Sequence, residues 1–194
     1  MTYKAVVLAS GTGTLAKALL DAQQKQQLRA RIVAIGVDRA APVQAVAQKA
    51  GLATFSVLPK DFPNRAAWDQ ALASAVAVFQ PDLVISAGFM RILGPEFLAV
   101  FGNCTINTHP SLLPQYPGAH AVQDALAAGA RVTGCTVHKV DAGVDTGPVL
   151  AQRMVAVKSS DTVETLHERI KRQERAMLVE VVNRLATHQL VLPA

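Results

Sequence analysis

Residues 3–14, YKAVVLASGTGT, join an apolar run, a pair of glycines and the start of a helical pattern. The run at 3–9 is rich in aliphatic and β-branched residues, which is typical of a buried strand. Gly11 and Gly13 mark a tight turn, and residues 14–26 follow with helical spacing. A strand that passes through a glycine turn into a helix is the opening unit of an α/β fold.

The same alternation continues along the chain. Strands are predicted at 3–9, 31–37, 53–57, 83–87, 103–107, 131–140 and 149–157. Helices are predicted at 14–26, 42–50, 66–79, 120–128 and 162–186. The near-continuous apolar strands of the first half suit a parallel sheet with helices on both faces. The alternating strand 131–140 and the strand after it form a hairpin-like antiparallel addition. We therefore predict one α/β domain over 1–194, with a doubly wound, mostly parallel sheet.

The composition bounds the classes of function. Of the 194 residues, 51% are apolar and 17% charged, which excludes global disorder. No apolar run reaches 18 residues, and the first residues lack the pattern of a signal peptide. Two separated cysteines form no disulfide framework. The net charge of +5 is scattered, as in a mildly basic enzyme rather than a nucleic-acid module. We expect a cytoplasmic protein without nucleic-acid or membrane partners.

The glycine turn is a candidate anion site. Backbone N–H groups and the helix dipole favour a phosphate where a strand passes into a helix. The third glycine of a dinucleotide fingerprint would fall at Ala16, and the Gly-Lys-Ser/Thr ending of a P-loop is absent. A purely structural turn would also explain Gly11 and Gly13, so both interpretations stay open.

Asn107 and His109 are the candidate reactive pair. Two residues apart at the end of a buried strand, they point to one side of the sheet, at an edge where α/β folds bind ligands. An amide can donate to a developing oxyanion, and an imidazole can transfer protons near neutral pH. Asp145, in the turn 141–148, would favour the protonated imidazole if it lay against His109. Capping and turn roles remain the alternative for all three.

Two further patterns suggest a metal site and a buried carboxylate. Cys104, His109, Cys135 and His138 could suggest a metal, but Cys135 and His138 should face opposite sides of a strand, so no metal is expected. Glu174 lies within the apolar stripe of the last helix, which should open with Asp161 as N-cap and Glu164 three residues later. A buried carboxylate needs a partner, either an arginine or the hydroxyls of a ligand.

Four strings, taken together, resemble the family of folate-dependent glycinamide ribonucleotide formyltransferases. They are SGTG at 10–13, SAGFMRIL at 86–93, NTHPSLLP at 107–114 and DTGP at 145–148, and the resemblance covers nearly the whole chain. It implies a Rossmann-like formyltransferase fold, with a nucleotide-binding half at 1–101 and a catalytic, folate-binding half at 102–194. The implied reaction moves a formyl group from 10-formyltetrahydrofolate to the amine of phosphoribosylglycinamide, with no metal.

The resemblance also implies roles for residues. The catalytic group would be His109, Asn107 and Asp145. Residues expected to bind the ribonucleotide are Gly13, Thr14, Leu15, Lys171, Arg172, Gln173 and Glu174. Residues expected to bind the folate are Arg65, Met90, Arg91, Ile92, Leu93, Asn107, Asp141 and Asp145. Many family members have Ser-Asn after the second loop glycine, whereas Thr14 and Leu15 stand here, so Leu15 can offer only its backbone N–H.

Related activities remain as alternatives. A formyltetrahydrofolate hydrolase would carry an additional N-terminal domain, and a methionyl-tRNA formyltransferase an additional C-terminal one. A non-catalytic nucleotide-binding domain would explain the glycine turn but not the reactive trio. The sequence leaves the choice between monomer and homodimer open, and a cis peptide is expected before Pro114.

Overall fold

The computed structural model describes residues 2–193, which build one seven-stranded sheet with the strand order β3-β2-β1-β4-β5-β6-β7. The strands are β1 (Lys4–Ala9), β2 (Arg31–Val37), β3 (Ala53–Ser56), β4 (Leu83–Ser86), β5 (Thr105–His109), β6 (Val132–Lys139) and β7 (Val149–Ala156). The helices are α1 (Thr14–Gln24), α2 (Val43–Lys49), α3 (Arg65–Ala77), α4 (Pro95–Phe101), α5 (Ala121–Ala127) and α6 (Val163–Ala186).

Strand β1 shows why the first half is doubly wound. Its side chains are fully buried from Ala5 onward and alternate between two apolar clusters. Val7 packs with residues of α1 and α6 on one face of the sheet. Leu8 packs with residues of α3 and α4 on the other. Because both faces are covered, the strand has no polar side, which explains its continuous apolar run.

The order of the parallel strands places a crevice beside β1. The chain moves outward from β1 to β2 and β3, and then returns to place β4 and β5 on the other side of β1. The loops that follow β1 and β4 therefore diverge to opposite faces. Ligands of open α/β sheets bind in such a crevice, at the carboxyl ends of the strands.

The predicted antiparallel addition is confirmed, and its strands continue the main sheet beyond β5. Strand β6 pairs antiparallel with both β5 and β7. In the β5–β6 register Asn107 lies opposite His138, and His109 lies opposite Thr136. This register decides which β6 side chains share a face with the candidate reactive pair.

Several local predictions need correction. The sequence pattern missed α4, and a 3-10 turn at Gly102–Cys104 moves β5 to Thr105–His109 instead of 103–107. The N-cap of α6 is Thr162, not Asp161, and Thr165 rather than Glu164 completes the reciprocal capping box. Asp161 instead binds the Arg169 guanidinium, at 2.6 Å from its Nη2.

Two other predictions concern particular segments. The Leu113–Pro114 peptide bond is cis, as expected. None of the helices within residues 2–193 is both long and apolar enough to cross a membrane.

Candidate active site

A cavity of about 540 Å³ opens at the carboxyl ends of the central strands. It draws its walls from the loops after β1 and β4, from the end of β5, from the loop between β6 and β7, and from one face of α6. The exposed apolar side chains of Met90, Ile92 and Val144 line it together with polar groups. A largely apolar cavity with a few convergent polar groups is typical of a small-molecule site.

The glycine turn forms part of the wall of this cavity. Gly13 is the N-cap of α1 with φ of 71°, a left-handed conformation that a glycine adopts without strain. A Cβ at this position would lie 2.2 Å from Cγ2 of Val43, so the turn is pressed against the start of α2. Thr14 and Leu15 begin α1, whose first N–H groups have no helical acceptor. Leu15 is 8% exposed and belongs to the core, which leaves its backbone to face an anion.

His109 lies between two acceptors. Its Nδ1 is 3.2 Å from Oδ2 of Asp145, and its Nε2 is 2.8 Å from the carbonyl oxygen of Tyr116. Since a carboxylate and a carbonyl can only accept, both contacts are hydrogen bonds only when both ring nitrogens carry protons. The side chain is 5% exposed, so water cannot easily substitute for either partner. Both ring nitrogens of His109 thus face acceptors within the protein.

The Asp145 carboxylate lies within contact distance of Asn107, His109 and His138. Gly118 N–H donates to its Oδ2 at 2.8 Å, and Asn107 Nδ2 lies 3.4 Å from its Oδ1. Burial by itself would raise the pKa of Asp145. Hydrogen bonds from His138 and the Gly118 N–H, with the charge of His109, outweigh burial and hold the pKa below the usual value. The carboxylate is therefore ionised at neutral pH.

His138 is a member of this group that sequence reasoning did not assign to it. Its Nε2 is 3.5 Å from Oδ1 of Asp145 and 3.2 Å from Nδ2 of Asn107, and its Nδ1 faces the carbonyl of Lys139 at 2.9 Å. The sequence carries no local pattern that links His138 to Asn107, because only the β5–β6 register sets the two residues opposite each other. No cluster of three or more His, Cys, Asp or Glu side chains suited to a metal occurs among residues 2–193.

One face of α6 forms another part of the cavity wall. His167, Lys171 and Glu174 follow each other at spacings of four and three, so they line up along the helix and all face the cavity. Glu174 is 4% exposed, and no arginine or lysine of the described residues forms a salt bridge with it. Burial raises the pKa of Glu174 to about 7, against the opposing effects of Thr108, Lys171 and Arg175. Glu174 therefore lines the cavity without the arginine partner that one interpretation of the sequence required.

His167 also lines the cavity, although it is not among the residues predicted from the sequence. It is half-buried, and burial, with the neighbouring charge of Lys171, lowers its pKa. Position 167 follows the helical spacing back from Lys171 and Glu174, so that spacing could have identified it.

The other predicted residues divide into two sets. Those that line the cavity are Gly13, Thr14, Leu15, Met90, Arg91, Ile92, Leu93, Asn107, His109, Asp141, Asp145, Lys171 and Glu174. Arg65, Arg172 and Gln173 do not line it. Arg65 stacks its guanidinium over the Trp68 ring at 4.7 Å, and Gln173 accepts a hydrogen bond from Arg153. Arg172 is exposed on α6.

Asp141 shapes the loop that closes over the cavity. Its Oδ1 accepts hydrogen bonds from the Gly143 N–H at 3.0 Å and from the Thr146 hydroxyl at 2.8 Å. The short segment that ends at Asp145 is thereby held in a turn, and Asp145 itself has φ of 55°. The left-handed conformation directs its carboxylate toward His109 and His138.

Comparison with known proteins gives this arrangement a context. The family model described as formyl transferase matches residues 3–182. A phosphoribosylglycinamide formyltransferase of Mycobacterium tuberculosis is 57% identical over 183 residues, which are 94% of this chain and 85% of the relative. One of Bacillus subtilis is 36% identical, over 94% of each chain. The crystal structure of glycinamide ribonucleotide transformylase 1 from Symbiobacterium toebii superposes with a TM-score of 0.96 at 39% identity, covering 100% of this chain and 92% of that one.

Proposed function

Because the chain belongs to the formyl transferase family, we propose that its cavity joins 10-formyltetrahydrofolate and phosphoribosylglycinamide for transfer of the formyl group. The activity is that of a phosphoribosylglycinamide formyltransferase, which yields formylglycinamide ribonucleotide and tetrahydrofolate in de novo purine biosynthesis. Within the chain, the contact of 3.2 Å between His109 and Asp145, beside Asn107, is the observation that carries the mechanism.

The ribonucleotide would lie between the glycine turn and α6. The N–H groups of Thr14 and Leu15 at the start of α1 suit the 5′-phosphate. Lys171, on the facing helix, adds a positive charge. Glu174, which has no cationic salt-bridge partner among the described residues, would accept the ribose hydroxyls. The predicted contacts of Arg172 and Gln173 would require these exposed side chains to turn toward the ligand.

The folate would occupy the part of the cavity between the loop after β4 and the loop at 141–145. Met90, Ile92 and Val144 offer apolar surface there, and the backbone of residues 90–93 offers hydrogen-bonding groups. Arg65, which lies outside the cavity, could contact only a ligand that extends beyond it. Each of the two proposed subsites uses residues from both 1–101 and 102–194, so the division into halves stays a prediction.

The reaction follows from the charges around the formyl carbon. The neutral amine of the ribonucleotide attacks that carbon, and its oxygen becomes an oxyanion. Asn107 Nδ2 and the imidazolium of His109 would stabilise this charge, because preorganised donors act strongly in a water-poor site. The C–N bond to the folate then breaks, and His109, through a water molecule, delivers the proton that the leaving nitrogen needs. The amine releases its own proton through water to His109, which restores the imidazolium.

Asp145 would favour the charged form of His109 at the start of each cycle, before the ring delivers its proton. Since Nε2 of His109 now donates to the Tyr116 carbonyl, that bond has to be exchanged for one to the formyl oxygen or to water. The Asp145 contact on Nδ1 is unaffected by this exchange, so the ring keeps its orientation.

The comparisons favour formyl transfer to the ribonucleotide over the hydrolase and over a non-catalytic nucleotide-binding domain. The absence of a metal and of nucleic-acid or membrane partners, the cytoplasmic location and the monomeric or dimeric state stay predictions.

One assay tests the proposed function. The purified protein is given 10-formyltetrahydrofolate with the ribonucleotide, with charged initiator tRNA, or with water alone, and tetrahydrofolate release is measured. We expect release with the ribonucleotide only, and a fall of about 10²- to 10⁴-fold for His109→Gln. His120→Gln, an exposed position outside the cavity, is the matched control and should stay within about twofold of wild type. Release with water alone, or full activity of His109→Gln, would overturn the assignment.

A further inference from the structure

Asp38 is a buried carboxylate at the end of β2, next to the cavity but not part of its wall. Its side chain is 0% exposed. It accepts hydrogen bonds from Nη2 of Arg39 and from Nε of Arg91, each at 2.8 Å. Burial by itself would raise the pKa of Asp38, but the hydrogen bonds from Arg39, Ser10 and Arg91 lower it to about 2. A buried and permanently ionised group needs this full set of partners.

Two of these partners belong to the loops that form the proposed substrate subsites. Ser10 begins the glycine turn, and its hydroxyl is one of the groups that lower the pKa of Asp38. The same hydroxyl oxygen accepts from the backbone N–H of Met90 at 2.8 Å, and the Ser10 N–H donates to the Gly88 carbonyl at 3.1 Å. Ser10 thus ties the glycine turn to the backbone of the folate-side loop.

Arg91 is the second link. Asp38 occupies its Nε, and the terminal amino groups form no hydrogen bond with any other part of residues 2–193. The side chain is 41% exposed and lines the cavity. Because a guanidinium is planar, a bond at Nε restricts the direction in which its other two nitrogens point. Without the carboxylate, Arg91 would rotate freely and would be repelled by the neighbouring Arg39.

We propose that Asp38 is a positioning residue, which orients the guanidinium of Arg91 for binding of the formyl donor. This inference rests on the proposed function, because it assumes that residues 90–93 form the folate edge. Asp38 does not touch the reacting atoms, so its effect should fall on the KM for the folate and not on kcat. The glycine turn has further support from Val43, whose N–H donates to the Gly11 carbonyl at 3.3 Å, so ribonucleotide binding should change little.

The test compares Asp38→Asn with Arg39→Ala, which removes a bond to the same carboxylate on the side away from the cavity. We expect Asp38→Asn to raise the KM for 10-formyltetrahydrofolate about tenfold and to leave kcat within about threefold. Arg39→Ala should change neither. If Asp38→Asn folds poorly, Arg91→Lys provides the same test at an exposed position, because it keeps the charge and loses the planar fork.

A double-mutant cycle isolates the route of the effect. Asp38→Asn should add less than about twofold to the KM of Arg91→Ala if Asp38 acts mainly through Arg91. The proposal would be overturned by fully additive effects of the two substitutions on KM, or by an unchanged KM for the folate in Asp38→Asn. It would also be overturned if kcat fell and both KM values rose to the same extent, together with a fall in Tm. Calorimetric titration with tetrahydrofolate keeps it separate from the proposed function. Loss of folate affinity in Asp38→Asn supports positioning even if the wild type forms no product, and undiminished affinity contradicts it.

Discussion

Replacing Asp145 with Asn tests the charge that the proposed mechanism requires. Asparagine keeps the volume of the side chain, and its carbonyl oxygen can still accept from the Gly118 N–H. It cannot also balance an imidazolium. If its NH₂ takes the place of Oδ2 instead, it faces both the Gly118 N–H and Nδ1 of His109, and donors oppose each other unless the ring gives up that proton.

The size of the effect follows from the geometry. Opposite charges 3.2 Å apart interact by about 5 kcal/mol at an effective dielectric constant of about 20, which sets a ceiling. A hydrogen bond to a charged group contributes about 1.5–3 kcal/mol net. The side chains of the pair are 5% and 12% exposed, so solvent screens the interaction little. We expect a loss of about 3–4 kcal/mol, or roughly a 100- to 1000-fold fall in kcat/KM.

The measurement is kcat/KM for tetrahydrofolate formation at saturating ribonucleotide, with Tm recorded for each variant. Asp21→Asn is the matched control, because Asp21 forms only an exposed ion pair with Lys17 on α1. It should retain wild-type kinetics. If Asp145→Asn kept more than about a third of the wild-type kcat/KM, the imidazolium of His109 would not be the group that stabilises the reaction.

Three further outcomes are expected. Gly13→Ala should lower Tm and raise the KM for the ribonucleotide far more than Gly51→Ala does. Both glycines have a positive φ, but only a Cβ at position 13 would clash with a neighbour, so equal effects of the two substitutions would contradict this reasoning. The wild type should lose stability between about pH 4.5 and 7, because the pKa of Glu174 is higher in the folded than in the unfolded state; the loss is roughly 3 kcal/mol at most. Glu174→Gln should remove this pH dependence of the free energy of unfolding, measured by denaturation in urea. Thr133→Val should be neutral or stabilising, because the buried Thr133 hydroxyl has no partner, whereas Thr136→Val should cost about 1–3 kcal/mol in the same measurement.

The sequence by itself determined the parts of the molecule that rest on short-range patterns. Alternation of apolar and polar residues is a property of a few neighbours, so it located the buried strands, the glycine turn and the apolar stripe of α6. The short helix α4 was missed because its seven residues span too few turns for a helical period to stand out.

For the candidate site, the residue types and strings selected Asn107, His109, Asp145 and Glu174, and the structure brings all four to one cavity. It leaves Arg65 outside that cavity, packed on Trp68, because α3 turns its first residue toward its own helix rather than toward the loop after β4.

Only the tertiary structure decided which side chains meet across long separations. His138 joins Asp145 because β6 runs antiparallel to β5 in a register that sets it opposite Asn107. Asp38 reaches Arg91, 53 residues away, because β4 returns to the other side of β1 and brings its loop beside the glycine turn. Local periodicity predicts neither of these two contacts, because each depends on strand order and register. Both follow from the packing of the whole sheet.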